Sequence, residues 1–287
     1  VTELRIADWR LRIGSSPGRQ SAIRNPQSAL PLVLCYHRIG GPLEIGVTRV
    51  SPAVFRRQME ALARDGWRTL TLVEYESRLA CPLSPVARPE VLITFDDGDA
   101  GLARHAYPVL ADLGYTAITF LVTDFVGRLN TWDARYTWRR LPHLDWSAVA
   151  RWRERGFEFG SHGATHRRLT WLDDDTAREE LERSRSALRA RLGEGSATAI
   201  AYPFGASVLR VRRLAREVGY RLGFGGGHGA DADPLDQRRV GVYAWDRAAP
   251  PLGVRGGPLG VVGRLAARAA NRCSVGTSLI LRVGRWL

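Results

Sequence analysis

Lysine is missing from this 287-residue chain: all 42 cationic side chains are arginine, set against 29 Asp and Glu for a formal charge of +13. The arginines are scattered and interleaved with acids, so the excess reads as the habit of an arginine-rich proteome, and charge alone speaks only to non-specific association. No nucleic-acid recognition motif accompanies it, which leaves nucleic acid outside the expected partners. Long apolar runs are missing too. Nothing approaches the roughly 18 or more uncharged apolar residues of a membrane-spanning helix, although peripheral contact with an anionic membrane surface stays open. No apolar stretch of the roughly 7–15 residues that a secretory signal needs is visible near the start. A cytoplasmic location is the expectation on that ground, with a cell-envelope role as the alternative if the natural N-terminus differs. Cysteine is scarce: Cys35, Cys81 and Cys273 lie far apart and form no CxxC pair, which argues against a zinc cluster and against a disulfide framework. Cys35 sits in an apolar run and is expected to be a small core residue. No G-x-G-x-x-G follows the first apolar run. The Gly225–Gly227 run comes late and lacks that spacing, so it reads as a loop.

What is present is regular. With 45% hydrophobic residues the chain can bury a substantial core. From Leu32 onward, short apolar runs alternate with amphipathic ones. The runs Leu32–Tyr36, Val91–Phe95, Ala117–Val122, Phe157–Gly160, Ala199–Tyr202, Arg221–Phe224 and Arg239–Tyr243 read as strands. Helices are expected from Ser51, with Pro52 in the first turn and Phe55, Met59 and Leu62 on one face. Others are expected near Leu102–Leu113, Ser147–Arg155, Asp175–Leu192 and Ser207–Val218, with Gly114, Gly156, Gly193 and Gly219 at their C-terminal ends. Strands alternating with helices imply parallel pairing. About seven such units predict an α/β fold, an incomplete or distorted (β/α) barrel of parallel strands with outer helices. Residues 1–30 read as a poorly ordered extension, residues 31–250 as one catalytic domain, and residues 251–287 as a basic Gly- and Arg-rich tail in which Leu279–Leu281 is an unassigned apolar run.

Two segments carry chemistry. Val91–Phe95 runs straight into Asp96, Asp97 and Gly98. In a parallel barrel the C-terminal strand ends form the active-site face, so adjacent carboxylates there can diverge into different roles. Phe157–Gly160 runs into Ser161, His162, Gly163, Ala164, Thr165 and His166, two histidines four positions apart. Two His and one carboxylate with an open position are a recognised catalytic zinc set, and the same donors also suit ferrous iron, cobalt or nickel. Asp97, His162 and His166 therefore form a candidate metal triad for one divalent cation, zinc first. His37 ends the first strand and would face the same mouth as a pocket wall. His105 and His143 are expected at the surface. Trp132, Trp138 and Trp171 are sugar platforms or, by default, packing.

Thr94-Phe95-Asp96-Asp97 and His162-Gly163-Ala164-Thr165-His166 resemble the first two motifs of the polysaccharide deacetylase (NodB-homology) family, and the resemblance spans roughly Leu32 to Tyr243. It extends to Tyr36-His37-Arg38, to Phe55–Leu62 with Gly66-Trp67, and to Trp146 through Gly160. It implies that Asp96 is the general base, that Asp97, His162 and His166 hold the metal, and that N-acetyl groups of N-acetylglucosamine-type glycans are hydrolysed. The family's Arg-x-Pro-Tyr motif matches Ala201-Tyr202-Pro203-Phe204-Gly205, with Ala201 in place of the arginine, a variant similar to the poly-N-acetylglucosamine deacetylase branch. Tyr202, Pro203 and Phe204 are thereby implied at the substrate and oxyanion side, with a backbone N–H near Phe204 as oxyanion donor. The family's late Leu-x-His and Asp-x-x-Asp-Trp motifs are absent. His228 is the remaining late histidine and the candidate general acid, and without the motif arginine the tuning of Asp96 lacks a source. Two rivals stand beside this reading: a hydrolase of a non-sugar amide on the same fold, and a catalytically silent carbohydrate-binding protein. The intact set Asp96, Asp97, His162 and His166 argues against the silent one.

Overall fold

The apolar runs become parallel strands that wrap into a nearly closed barrel with helices outside it. In the computed structural model, residues 30–41, 47–82, 84–131, 140–225, 233–247 and 263 are described. The strands are β1 (Leu32–Tyr36), β2 (Glu90–Phe95), β3 (Ile118–Leu121), β4 (Glu158–Ser161), β5 (Ala199–Ala201), β6 (Leu222–Gly225), β7 (Gln237–Arg238) and β8 (Val240–Gly241). They pair in parallel in the order β7-β6-β5-β4-β3-β2-β1-β8. Only Arg239 separates β7 from β8, so one run of chain touches both edges. Gln237 stands opposite Phe224 on one side, and Val240 opposite Leu34 on the other. The expected seventh strand is thus a single run broken at one residue, starting at Gln237, earlier than expected. A short piece, Arg68–Thr69, pairs with the start of β2.

Side chains alternate along these strands, as the pleat requires. Val33, Leu92, Ile118, Phe120, Ala199, Ala201, Leu222 and Phe224 form one buried cluster that fills the barrel interior. The intervening residues face outward. Leu34, Tyr36, Ile93, Phe95, Phe157 and Phe159 pack against Phe55 and Met59 of α1 (Pro52–Arg64) and Trp152 of α5 (Trp146–Arg153). Ile200 and Tyr202 pack against Leu181 of α6 (Asp174–Leu192) and Val211 and Leu214 of α7 (Leu209–Val218). The interior is tight. A Cβ on Gly160 would lie 2.8 Å from the Phe120 ring and 3.0 Å from the Ala199 carbonyl oxygen.

Helix ends follow local chemistry. Ser51 caps α1 with Pro52 in its first turn, and Asp145 caps α5 by accepting from the Ala148 N–H at 2.7 Å. Gly193 and Gly219 are the C-caps of α6 and α7, and Gly114 and Gly156 sit just past α4 (Tyr107–Asp112) and α5, all with positive φ. Three expectations change. The helix expected over Leu102–Leu113 is two, α3 (Gly101–His105) and α4 (Tyr107–Asp112), because Pro108 supplies no N–H and its ring crowds the carbonyl one turn back. Helix α7 starts at Leu209 and not at Ser207, whose hydroxyl donates instead to Asp236 at 2.8 Å. An unanticipated α2 (Leu72–Ala80) begins with a capping box of Thr71 and Glu74. Its Leu72 and Tyr75 join the interior cluster, and the Leu72 N–H donates to Glu158 at the start of β4. Helix α2 therefore plugs the end of the barrel where the strands begin.

Trp132, Trp138, His228, Cys273 and Leu279–Leu281 lie outside the described residues, as do residues 1–29 and, residue 263 apart, residues 248–287. No described helix is long and apolar enough to cross a membrane.

Candidate active site

Every chemically notable residue of the barrel mouth leaves from the C-terminal end of a strand. His37 follows β1, Asp96 and Asp97 follow β2, His162 follows β4, and Tyr202-Pro203-Phe204 follows β5. Asp96 continues the inward alternation of Leu92 and Thr94, so its carboxylate enters the top of the interior, where it is 3% exposed. Asp97 would ordinarily turn outward. Its backbone instead takes φ 71°, and two other non-glycine residues in the left-handed region are His166 (φ 59°) and Phe204 (φ 61°). Among the described residues these three are the whole set of such outliers, and all belong to the mouth. Strain of this kind, of order 1–3 kcal/mol per residue, persists where the surrounding structure enforces it.

The twist at Asp97 separates the two adjacent carboxylates. Asp97 Oδ1 lies 3.5 Å from His162 Nε2 and 3.5 Å from His166 Nε2. Asp97, His162 and His166 thus place three donors within 4.8 Å of one another. Donors arranged tetrahedrally around a zinc-sized ion stand roughly 3.4 Å apart, given metal–ligand bonds of about 2.0–2.2 Å. His162 Nδ1 donates to the Ala201 carbonyl at 2.8 Å, which fixes the tautomer and leaves the Nε2 lone pair facing the cluster. Burial lowers the pKa of His162. Burial and then the neighbouring His162 take His166 well below its ordinary value. Both imidazoles are therefore neutral at pH 7, the form that ligates. The donor set fits a divalent cation. The loop carrying it is pinned from behind by Glu180 of α6, buried, which accepts from the Thr165 N–H at 2.9 Å and from its hydroxyl at 2.6 Å.

Asp96 has different company. Arg239, from the break between β7 and β8, donates from Nη1 to Asp96 Oδ1 at 2.6 Å and from Nη2 to Oδ2 at 2.7 Å, a bidentate fork. The Cys35 thiol adds a weaker contact to Oδ2 at 3.5 Å. Burial pushes the Asp96 pKa up, but the charge of Arg239 and its hydrogen bonds outweigh it and hold the carboxyl well below the usual range. Asp96 is thus a carboxylate at neutral pH. The tuning cation that Ala201 does not provide comes from the seam where β8 pairs with β1, next to β2. Sequence reading did not single out Arg239, one arginine among 42 cationic residues. The available signal was its place on an inward-facing strand position. Cys35, expected as a plain core residue, is buried as expected but borders the candidate base. Its pKa is raised, burial being the main cause.

The remaining candidates divide. His37 stands at the mouth, with Nε2 4.0 Å from Asp96 Oδ2 and its side chain 27% exposed. Burial lowers its pKa to about 4, so it is neutral and serves the wall of the pocket. The Phe204 ring lies 4.7 Å from the His166 ring, and Pro203 packs at Gly163. Tyr202 does not reach the mouth: fully buried, it turns outward beside Ile200, and its hydroxyl donates to the Leu235 carbonyl at 3.0 Å. The alternation that sends Ala201 inward sends Tyr202 into the helix layer. His143 is buried, contrary to a surface position, and burial lowers its pKa to about 4. Asp145-Trp146 starts α5, one residue ahead of the expected Ser147. Trp171 is 39% exposed.

Fold and site together define a parallel barrel with a two-histidine, one-aspartate candidate metal centre at the mouth and a second, ionised aspartate beside it. Comparison with known proteins agrees. Residues 84–223 match the family model for polysaccharide deacetylase. YxkH of Bacillus subtilis, named as a candidate polysaccharide deacetylase, is 27% identical over 238 residues, 83% of this chain and 77% of that protein. The solved polysaccharide deacetylase BC0361 of Bacillus cereus is 26% identical with a TM-score of 0.61, over 75% of this chain and 65% of that one. The Streptococcus pyogenes deacetylase PplD, solved with acetate, shares the fold with a TM-score of 0.66 at 22% identity, over 75% of this chain and 93% of that one. Residues 84–223 are a polysaccharide deacetylase domain, and the chain is similar to hydrolases of that family.

Proposed function

We propose that this protein removes N-acetyl groups from N-acetylglucosamine-type glycans, with a divalent cation, zinc first, held by Asp97, His162 and His166 and with Asp96 as general base. The observation that carries the reading is the divergence of two adjacent carboxylates: Asp97 joins two neutral imidazoles at 3.5 Å, while Asp96 is held ionised by a fork from Arg239. A cation there supplies Lewis acidity, lowering the pKa of water in its open position from about 15.7 towards 7. Asp96 takes the proton from the attacking water. The oxygen adds to the acetamide carbonyl, the C–N bond breaks, and acetate and a free sugar amine leave. The backbone N–H at Phe204, in its left-handed turn, is the candidate oxyanion donor that the family resemblance implies, a fixed dipole of the kind that stabilises a developing oxyanion. The departing nitrogen needs a proton, for which His228, outside the described residues, remains the candidate. Neutral, half-buried His37 suits the pocket wall better.

The test is acetate release from N-acetylglucosamine oligomers by chelator-treated protein and by protein with zinc or cobalt restored. Release that needs metal supports the reading. Asp96→Asn should keep one equivalent of metal and lose about 10²–10⁴-fold in kcat, whereas His162→Ala should lose both. A fully active Asp96→Asn would refute the base assignment. Metal bound without acetate release would point to another amide substrate, and neither binding nor release would point to a silent sugar-binding protein.

A further inference from the structure

Beside the candidate centre lies a cation that the reaction above does not use. Arg168 follows His166 by two residues, and its guanidinium carbon lies 5.1 Å from the centre of the Trp171 ring and 5.7 Å from that of Phe204. Phe204 in turn packs on the His166 ring, so His166, Phe204, Arg168 and Trp171 form one continuous surface leading away from the metal donors. Arg168 Nε and Nη1 are shielded from solvent, yet neither has a hydrogen-bond partner. Neighbouring arginines differ: Arg210 donates to Asp174 and to the carbonyls of Leu169 and Leu172, and Arg239 to Asp96. Aromatic faces compensate part of the cost of withdrawing a guanidinium from water, but they leave its in-plane N–H donors unsatisfied, and buried donors without acceptors are costly and rare. Burial lowers the Arg168 pKa, but an arginine keeps its charge in any case. What would satisfy such donors is an oxyanion, the strongest acceptor for guanidinium N–H groups. The half-exposed Trp171 ring beside it offers a surface on which the sugar carrying that anion can rest.

We propose that Arg168, with Trp171 and Phe204, forms an anion subsite next to the candidate metal centre, and that the preferred substrate carries a carboxylate or phosphate beside its N-acetylated sugar. This rests on the deacetylase reading above. In that arrangement the oxyanion docks on Arg168 and sets which acetamide reaches Asp96. A purely structural arginine, holding Phe204 in its left-handed turn, would affect acidic and neutral substrates alike, so the ratio between them is the informative quantity.

The experiment uses the full chain loaded with zinc and compares kcat/KM for acetate release from three substrates. These are a neutral N-acetylglucosamine tetramer, a tetramer alternating N-acetylglucosamine with glucuronic acid, and N-acetylglucosamine 1-phosphate. At least one acidic substrate should exceed the neutral one by about tenfold or more, equivalent to about 1.4 kcal/mol. Preference for the alternating tetramer assigns a carboxylate, and preference for the sugar phosphate assigns a phosphate. Arg168→Gln should collapse the ratio towards one through KM, and Arg168→Lys should keep part of it. No acidic preference in the parent, or an equal loss on all substrates in Arg168→Gln, overturns the subsite. Calorimetric titration of metal-free protein with the same two acidic ligands reads the subsite without turnover. Binding that Arg168→Gln abolishes, with no acetate released from any substrate, would fail the deacetylase reading and leave the subsite standing. Acetate release with no acidic preference would do the reverse.

Discussion

The two ends of the barrel interior are built by the same alternation of side chains and end in opposite physics. Where the strands begin, the inward positions are Val33, Leu92, Ile118 and Leu222, and α2 seals them with Leu72 and Tyr75. Where the strands finish, the inward positions are Cys35, Asp96, His162 and Arg239, equally withdrawn from water. The lower half is held by apolar contact, which is non-directional and tolerant of detail. The upper half is held by a fork between two buried charges, and such a pair is tolerated only while both partners are present. A barrel can thus carry a costly polar site because the other end of the same interior supplies the packing.

Removing one charge breaks that balance most sharply. Arg239→Ala should cost about 3–5 kcal/mol in denaturant unfolding, because Asp96 is left buried and alone. The pair Asp96→Asn with Arg239→Met should regain most of that loss. A double-mutant cycle showing no coupling would dissolve the distinction between the two halves. The sign of the pH response should also reverse in metal-free protein. In the parent, the Asp96 pKa is depressed, so its stabilisation is present above the unfolded value of about 3.9 and is lost as pH falls through the folded one. In Arg239→Ala burial dominates, the folded pKa rises, and stability is lost as pH rises through it. A smaller effect tests the middle of the interior. Gly160→Ala, with its Cβ 2.8 Å from the Phe120 ring, should cost about 1–3 kcal/mol by overpacking, read as a lowered unfolding midpoint. The smallest concerns the lid at the strand starts. Thr71→Ala removes the cap of α2 and should cost about 1 kcal/mol, with acetate release unchanged.

These contrasts also show what was legible in the sequence. The strands were readable because each is a short apolar run between turn signals. Asp96-Asp97 and His162 to His166 were readable because each motif is continuous and sits at a strand end. Arg239 was not, since its partner is 143 residues away in the chain and only the pairing of β8 with β1 beside β2 brings them together. Tyr202 was placed at the mouth by its neighbourhood in a motif, whereas strict alternation from Ala199 and Ala201 puts it outside with Ile200. The Thr71 and Glu74 box was present in the sequence, with Leu72, Tyr75 and Leu79 spaced on one face behind it, but the helix is only nine residues long. Pro108 marked the break between α3 and α4, and the apolar pattern continuing across it hid the break.

The one-residue gap between β7 and β8 has a temporal meaning. Leu34, near the start of the barrel, pairs with Val240, near its end, a contact that closes only after every intervening strand has been laid down. Arg239 sits in that seam, so the guanidinium that keeps Asp96 ionised is supplied by the last strand of the barrel in chain order. A chain still being synthesised and stopped short of residue 239 holds both aspartates and both histidines, yet Asp96 has no counter-charge. The charge state of Asp96 thus waits on one of the last residues of the barrel to be made.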